Sequence, residues 1–131
     1  MNKYMADFET STEEWLLRDN GIARVWASCI TTIEENPRVI SIDNNIDLFM
    51  DNLLKLGNCE LFFHNLKYDG EYIIAWLFDN GYRYMEGAKQ PMTFDCVIAD
   101  TGAWYMLTIT HKKFNKRYVR TRIFDSLKKL P

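Results

Sequence analysis

Cys59-Glu60-Leu61-Phe62-Phe63-His64-Asn65-Leu66-Lys67-Tyr68-Asp69-Gly70 is the stretch on which the fold turns. Its first five residues form a short apolar run, the pattern of a strand buried inside a parallel sheet. The rest, His64 to Gly70, reads as a polar loop ending in glycine. An amphipathic helix is expected from Tyr72 to Phe78, stopped by Asn80-Gly81. A buried strand, a loop and a helix in that order are the unit of an α/β layered domain. Ligand sites of open α/β sheets gather at such strand ends.

Working outward, Asp43-Asn44-Asn45 offers helix caps, and Ile46, Phe49, Met50, Leu53, Leu54 and Leu56 follow at helical spacing. Gly57-Asn58 ends that helix. Ala23 to Ile33 is rich in β-branched residues and predicts a strand; Glu34 to Pro37 is a turn, and Arg38 to Ile42 returns from it as a hairpin. Lys3 to Phe8 is a further strand, and Ser11 to Asn20 a polar, acidic loop. Beyond the second helix, Tyr82–Met85, Thr93–Ala99, Trp104–Thr110 and Arg117–Phe124 read as strands, with a turn at Lys112–Lys116. The expectation is one α/β domain over residues 1–131, a mixed sheet flanked by helices.

The chain has 131 residues, 47% hydrophobic and 15% aromatic, which excludes a disordered chain and favours a core rich in rings. No apolar run approaches the roughly 20 residues of a membrane helix, and Met1 to Asp7 lacks the apolar core of a signal peptide. No membrane partner and a cytosolic location are therefore expected. Cys29, Cys59 and Cys96 share no metal-like spacing and read as buried free thiols. The formal charge of −2 hides an asymmetry. Residues 111–131 carry eight Lys/Arg against one acid, while the remainder carries eight against 17, so the two parts are +7 and −9. Such a basic strip suits a phosphate-tracking surface beside a metal site; it is also what a solvated charged hairpin looks like.

Asp7-Phe8-Glu9-Thr10 ends the first strand. Period-two alternation puts Asp7 and Glu9 on one face and Phe8 in the core. Two same-face carboxylates repel each other unless a cation lies between them, and hard oxygen donors suit Mg²⁺ or Mn²⁺. A solvent-facing acidic pair has the same pattern. Asn65 and Asp69, four residues apart, are positioned to face that strand, so that Asp69 adds a third carboxylate. Phe62, His64, Tyr68 and Tyr72 supply rings on which unpaired bases can stack, or else core aromatics around a capped helix start.

These residues carry a resemblance. Asp7-Phe8-Glu9-Thr10 is similar to the first exonuclease motif of family B DNA polymerases. His64-Asn65-Leu66-Lys67-Tyr68-Asp69-Gly70 resembles the second, in the form found in the protein-primed enzymes of small tailed phages. Asp125-Ser126-Leu127-Lys128-Lys129-Leu130-Pro131 is similar to a segment that precedes their third motif, and Gly102 to Met106 to a stretch between. The resemblance implies an RNase H-like fold and a 3′–5′ proofreading exonuclease in DNA replication. Its metal ligands and catalytic residues would be Asp7, Glu9 and Asp69. Thr10, Phe62, His64, Asn65, Tyr68, Ser126 and Leu127 match positions that hold the single-stranded 3′ end, with Phe62 where relatives carry Tyr. Tyr72 matches an aromatic that contacts the strand or the terminal protein. Lys112, Lys113, Lys116 and Arg117 are the candidate phosphate contacts. The family's third motif, a Tyr followed four residues later by Asp, has no counterpart before Pro131. The resemblance thus implies a truncated domain, of phage or prophage origin in a bacterial cytoplasm, with weak or no catalysis by itself. A stand-alone module that keeps the fold and acts on a protein partner, and a nuclease completed by a second chain, are the other readings.

Overall fold

The structure, a computed structural model, describes residues 2–11, 24–98, 104–112 and 116–126. In chain order these form β1 (Asn2–Thr10), β2 (Val25–Thr32), β3 (Val39–Asp43), α1 (Ile46–Lys55), β4 (Cys59–Phe63), α2 (Leu66–Asp79), β5 (Arg83–Tyr84), a 3₁₀ turn (Glu86–Ala88), β6 (Thr93–Ile98), β7 (Trp104–Thr110) and β8 (Arg120–Asp125). All eight strands join one sheet in the order β3-β2-β1-β4-β8-β7-β6-β5. β1 to β3 form an antiparallel meander, and β1, β4 and β8 run parallel. The mixed α/β sheet is as expected, and it suits the RNase H-like architecture that the resemblance implies.

The apolar run Cys59–Phe63 does sit between two parallel neighbours, β1 and β8. Cys59, Leu61 and Phe63 face the core, and Phe62 on the other face is covered by stacking on Phe124, which is why the sequence barely alternates. Phe8, Phe49 and Phe63 meet edge to face with centroids 4.8, 5.0 and 6.2 Å apart, tying β1, α1 and β4 together. Each such pair adds about 0.5–1.5 kcal/mol beyond the burial of its area. Asn45 caps α1 by accepting from the Leu48 amide at 2.9 Å. α1 buries Phe49, Met50 and Leu53 and α2 buries Leu66, Ile73 and Leu77, all in one core with Phe8, Leu61, Phe63, Leu107 and Ile123. Both helices therefore cover the same sheet face.

One boundary differs in a way that matters. α2 begins at Leu66, not Tyr72, so Asp69 and Gly70 are helical rather than part of a loop. The amides of Tyr68 and Asp69 both donate to the Asn65 carbonyl, starting the helix. Glycine inside a helix costs about 1 kcal/mol relative to alanine, but here a Cβ on Gly70 would lie 2.7 Å from the Trp104 ring. The glycine lets α2 press its first turn against β7. The predicted loop 11–20 lies outside the described residues apart from Ser11, as do Gly102 and Ala103.

Candidate exonuclease edge

β1 outruns its neighbour. β4 ends at Phe63, opposite Ala6, while β1 continues to Thr10. On that side β1 beyond Ala6 has no strand partner, and the first turn of α2 fills the step. The alternation expected for β1 is present: Phe8 is buried, and Asp7 and Glu9 are exposed. They lie on the sheet face opposite the helices, in register with Cys29 and Ala27 of β2.

Asp69 reaches this strand from α2. It is 7% exposed, and its carboxyl is pushed up to about 6. Burial is the main cause. The negative charge of Asp7 adds to it, a hydrogen-bonding contribution from the Phe8 backbone N–H pulls the other way, and Glu9 adds a smaller push. Asp69 thus senses both carboxylates of β1. Among the described residues, however, no group of three or more His, Cys, Asp or Glu side chains is drawn tightly enough together to hold a metal ion as it stands.

The residues around this edge fall into three groups. His64, Asn65 and Tyr68 are exposed beside Asp69, Tyr68 at 63%, and Ser126 joins them through a 3.3 Å contact between its Oγ and His64 Nδ1. Thr10 closes the far end of β1. Phe62 and Tyr72 are placed differently from the expectation. Phe62 is only 9% exposed and stacks on Phe124 at 5.3 Å, because the two are direct partners across β4 and β8. Its ring is a floor of the open face and not a free platform. Tyr72, one helical turn beyond Tyr68, is half-buried in a groove of about 440 Å³ that it shares with Arg24, Asp47 and Trp76.

The described candidates for phosphate contact are not beside the carboxylates. Lys112, Lys116 and Arg117 are exposed in the β7–β8 connection, where β8 begins. The carboxylates lie where β1 and β4 end, and β8 runs parallel to both. The five steps of β8 alone separate the two ends by roughly 17 Å. A linear charge count cannot see that strand direction carries the hairpin away from the site. Lys113 and Leu127 lie outside the described residues.

Two neighbours of the edge were not singled out in the sequence. Cys29, read as buried, is half-buried opposite Asp7. Its thiol is pushed up by burial first and then by Asp7. Trp26 is 51% exposed, and its indole N–H donates to the Thr10 carbonyl at 3.1 Å. Both follow from the β1–β2 register, which a hairpin prediction leaves open until the pairing is known.

No family model matches the chain. The DNA polymerases of Bacillus phages PZA and phi29 are each 41% identical to it over 128 residues, 98% of this chain. That of Streptococcus phage Cp-1 is 26% identical over 125 residues. The solved structure of phi29 DNA polymerase complexed with single-stranded DNA superposes with a TM-score of 0.80 at 38% identity. It covers 99% of this chain and 22% of that one. The complex with primer-template DNA gives 0.79. The chain spans about a fifth of the length of the curated relatives it matches, 21% for phi29. By sequence and by fold the chain is similar to the N-terminal region of the phi29-type phage DNA polymerases.

Proposed function

We propose that the Asp7–Glu9–Asp69 edge is a metal-dependent 3′–5′ exonuclease site that takes the 3′ end of single-stranded DNA and serves a protein-primed DNA polymerase. The observation that carries this reading is the burial of Asp69 beside the negative charge of Asp7 and Glu9. A buried carboxylate that faces two more on the neighbouring strand makes a site that gains from a cation. The phi29 polymerase structure complexed with single-stranded DNA supports the choice of ligand.

The donor set fits Mg²⁺ or Mn²⁺, being all hard oxygen. Asp7 and Glu9 are exposed, so their side chains can rotate toward Asp69. When bound, such ions make water more acidic and offset charge on phosphate oxygens. The chain's own residues supply the rest. Asp7, Glu9 and Asp69 hold the ions. Tyr68 and His64 offer exposed rings to the last bases. The Ser126 contact at Nδ1 orients His64 and leaves Nε2 as its remaining polar atom. Asn65 and Thr10 are placed to hold the sugar and phosphate. Tyr72, set back in its groove, suits contact with a protein such as the terminal protein better than contact with the strand.

Three carboxylates are a lean set, and a reacting group misplaced by about 1 Å can cost on the order of a hundredfold. The 131-residue chain is therefore expected to bind single strands and to shorten them slowly or not at all. Titration calorimetry with Mn²⁺ on wild type and Asp7→Ala tests the site. Weak binding lost in the variant is expected; equal binding by both would remove the metal assignment. Incubation with 5′-labelled oligonucleotide, beside an Asp7→Ala/Glu9→Ala control, tests the chemistry. Any shortening is expected from the 3′ end and only with the intact carboxylates. Rapid trimming would show that the ligand set is fuller than three.

A further inference from the structure

Trp26 occupies the β2 side of the carboxylate edge. Glu9 pairs with Ala27 and Thr10 with Val25, so Trp26 is the extra residue of a bulge. Bulges beside functional sites re-aim side chains that regular pleating would turn elsewhere. Here Val25 is buried and the large Trp26 ring stays outside. Its single polar atom is engaged with the Thr10 carbonyl at 3.1 Å, so the indole is held in place and offers solvent a bare aromatic surface. Of the other tryptophans in the described residues, Trp104 is buried and Trp76 half-buried. Thr10 links the ring directly to the strand that carries Asp7 and Glu9. On the other side of β1 stand the exposed rings of Tyr68 and His64.

We propose that Trp26 is a base-stacking platform for a nucleotide at or next to the 3′ end of single-stranded DNA, so that the strand reaches the carboxylates between aromatic groups on both sides. This rests on the reading of the edge as a single-strand site. A purine or pyrimidine face covers an indole whatever the sequence, so the platform adds affinity without sequence preference. The bulge and the Thr10 hydrogen bond lower the ordering cost, because the ring is already fixed before DNA arrives.

The test compares wild type, Trp26→Ala, Trp26→Phe and Tyr68→Ala by fluorescence anisotropy with a short labelled oligothymidylate in EDTA, after thermal unfolding has shown that each is folded. Trp26→Ala should weaken binding about tenfold, and Trp26→Phe, which keeps a ring but no N–H, by roughly threefold or less. An oligonucleotide with abasic sugars at its last two 3′ positions supplies the second arm. Wild type and Trp26→Ala should bind it equally, since there is no base to stack. DNA should also quench intrinsic tryptophan emission, and Trp26→Phe should lose that quenching. Unchanged affinity in Trp26→Ala, or the same loss on the abasic strand, overturns the proposal; the latter points to disturbed structure instead. The underlying reading fails in a distinguishable way. If wild type binds no single strand, the edge itself is misassigned. If Tyr68→Ala weakens binding while Trp26→Ala does not, only Trp26 falls.

Discussion

Two buried ionisable groups sit at opposite ends of the sheet and are treated in opposite ways. His111, just past the end of β7, is 1% exposed, and burial pulls it down to about 4. Both its ring nitrogens have partners, Tyr82 Oη at 3.1 Å and Thr121 Oγ1 at 3.0 Å. A neutral imidazole carries one donor and one acceptor, so the network is complete. Asp69, at the other end, is buried nearly as well but faces two more carboxylates. The first group is settled by its neighbours and the second is made worse by them. A buried polar group with its partners in place is a structural element. One whose neighbours raise its energy is a candidate for a binding site.

The largest expected effect breaks the settled end. His111→Ala leaves a cavity and strips a partner from Tyr82 and Thr121, and should cost about 3 kcal/mol in urea unfolding at pH 7.5. An equal loss of DNA binding would show that the two ends are not independent.

The next sharpens the contrast through pH. His111 has a lowered folded pKa, so its share of stability is complete above the unfolded value near 6.5. It is lost as pH falls toward 4, about 3 kcal/mol in all at 1.4 per unit. Asp69 has a raised folded pKa. The folded state holds its proton more tightly, so stability rises as pH falls from about 6 toward 3.8. The two slopes oppose each other, and the wild-type profile should be shallow between pH 6 and 4. Asp69→Asn should unmask the His111 slope, seen as a steeper fall of the urea midpoint. An unchanged profile would mean that Asp69 is not strained.

Gly70→Ala should destabilise by about 1–2 kcal/mol, overpacking against Trp104 outweighing the gain in helix propensity. Mn²⁺ binding should suffer more than stability does, because the shift falls on Asp69 next door. The smallest effect has the opposite sign. Asp69→Asn at pH 7.5 should stabilise the protein by about 1 kcal/mol, by removing a buried charge. If the edge binds Mn²⁺ as proposed, the wild type should gain melting temperature with Mn²⁺ and the same variant should not.

These contrasts also mark what could be read from the residues alone. The alternation of Asp7, Phe8 and Glu9, the buried run at Cys59–Phe63 and the spacing of α1 are local, and each was legible because local pattern and tertiary environment agree. The start of α2 was not, since Gly70 signals a loop and only Trp104, 34 positions on, makes it a helix residue. The position of the basic hairpin depends on which way β8 runs. Trp26 and Cys29 needed the β1–β2 register, bulge included, before either could be seen beside a carboxylate.

The central place of β4 has a consequence for the newborn chain. β4 takes β1 on one edge and β8 on the other, yet 56 residues lie between Phe63 and Arg120. At synthesis rates of about 5–20 residues per second, the ribosome needs several seconds to make them. During that interval Cys59–Phe63 presents an unpaired apolar edge, although the last carboxylate of the candidate site, Asp69, is made only six residues after Phe63. Such an edge is an invitation to another chain. Fragments that stop after α2 should therefore precipitate, whereas those that extend through β8 should stay in solution.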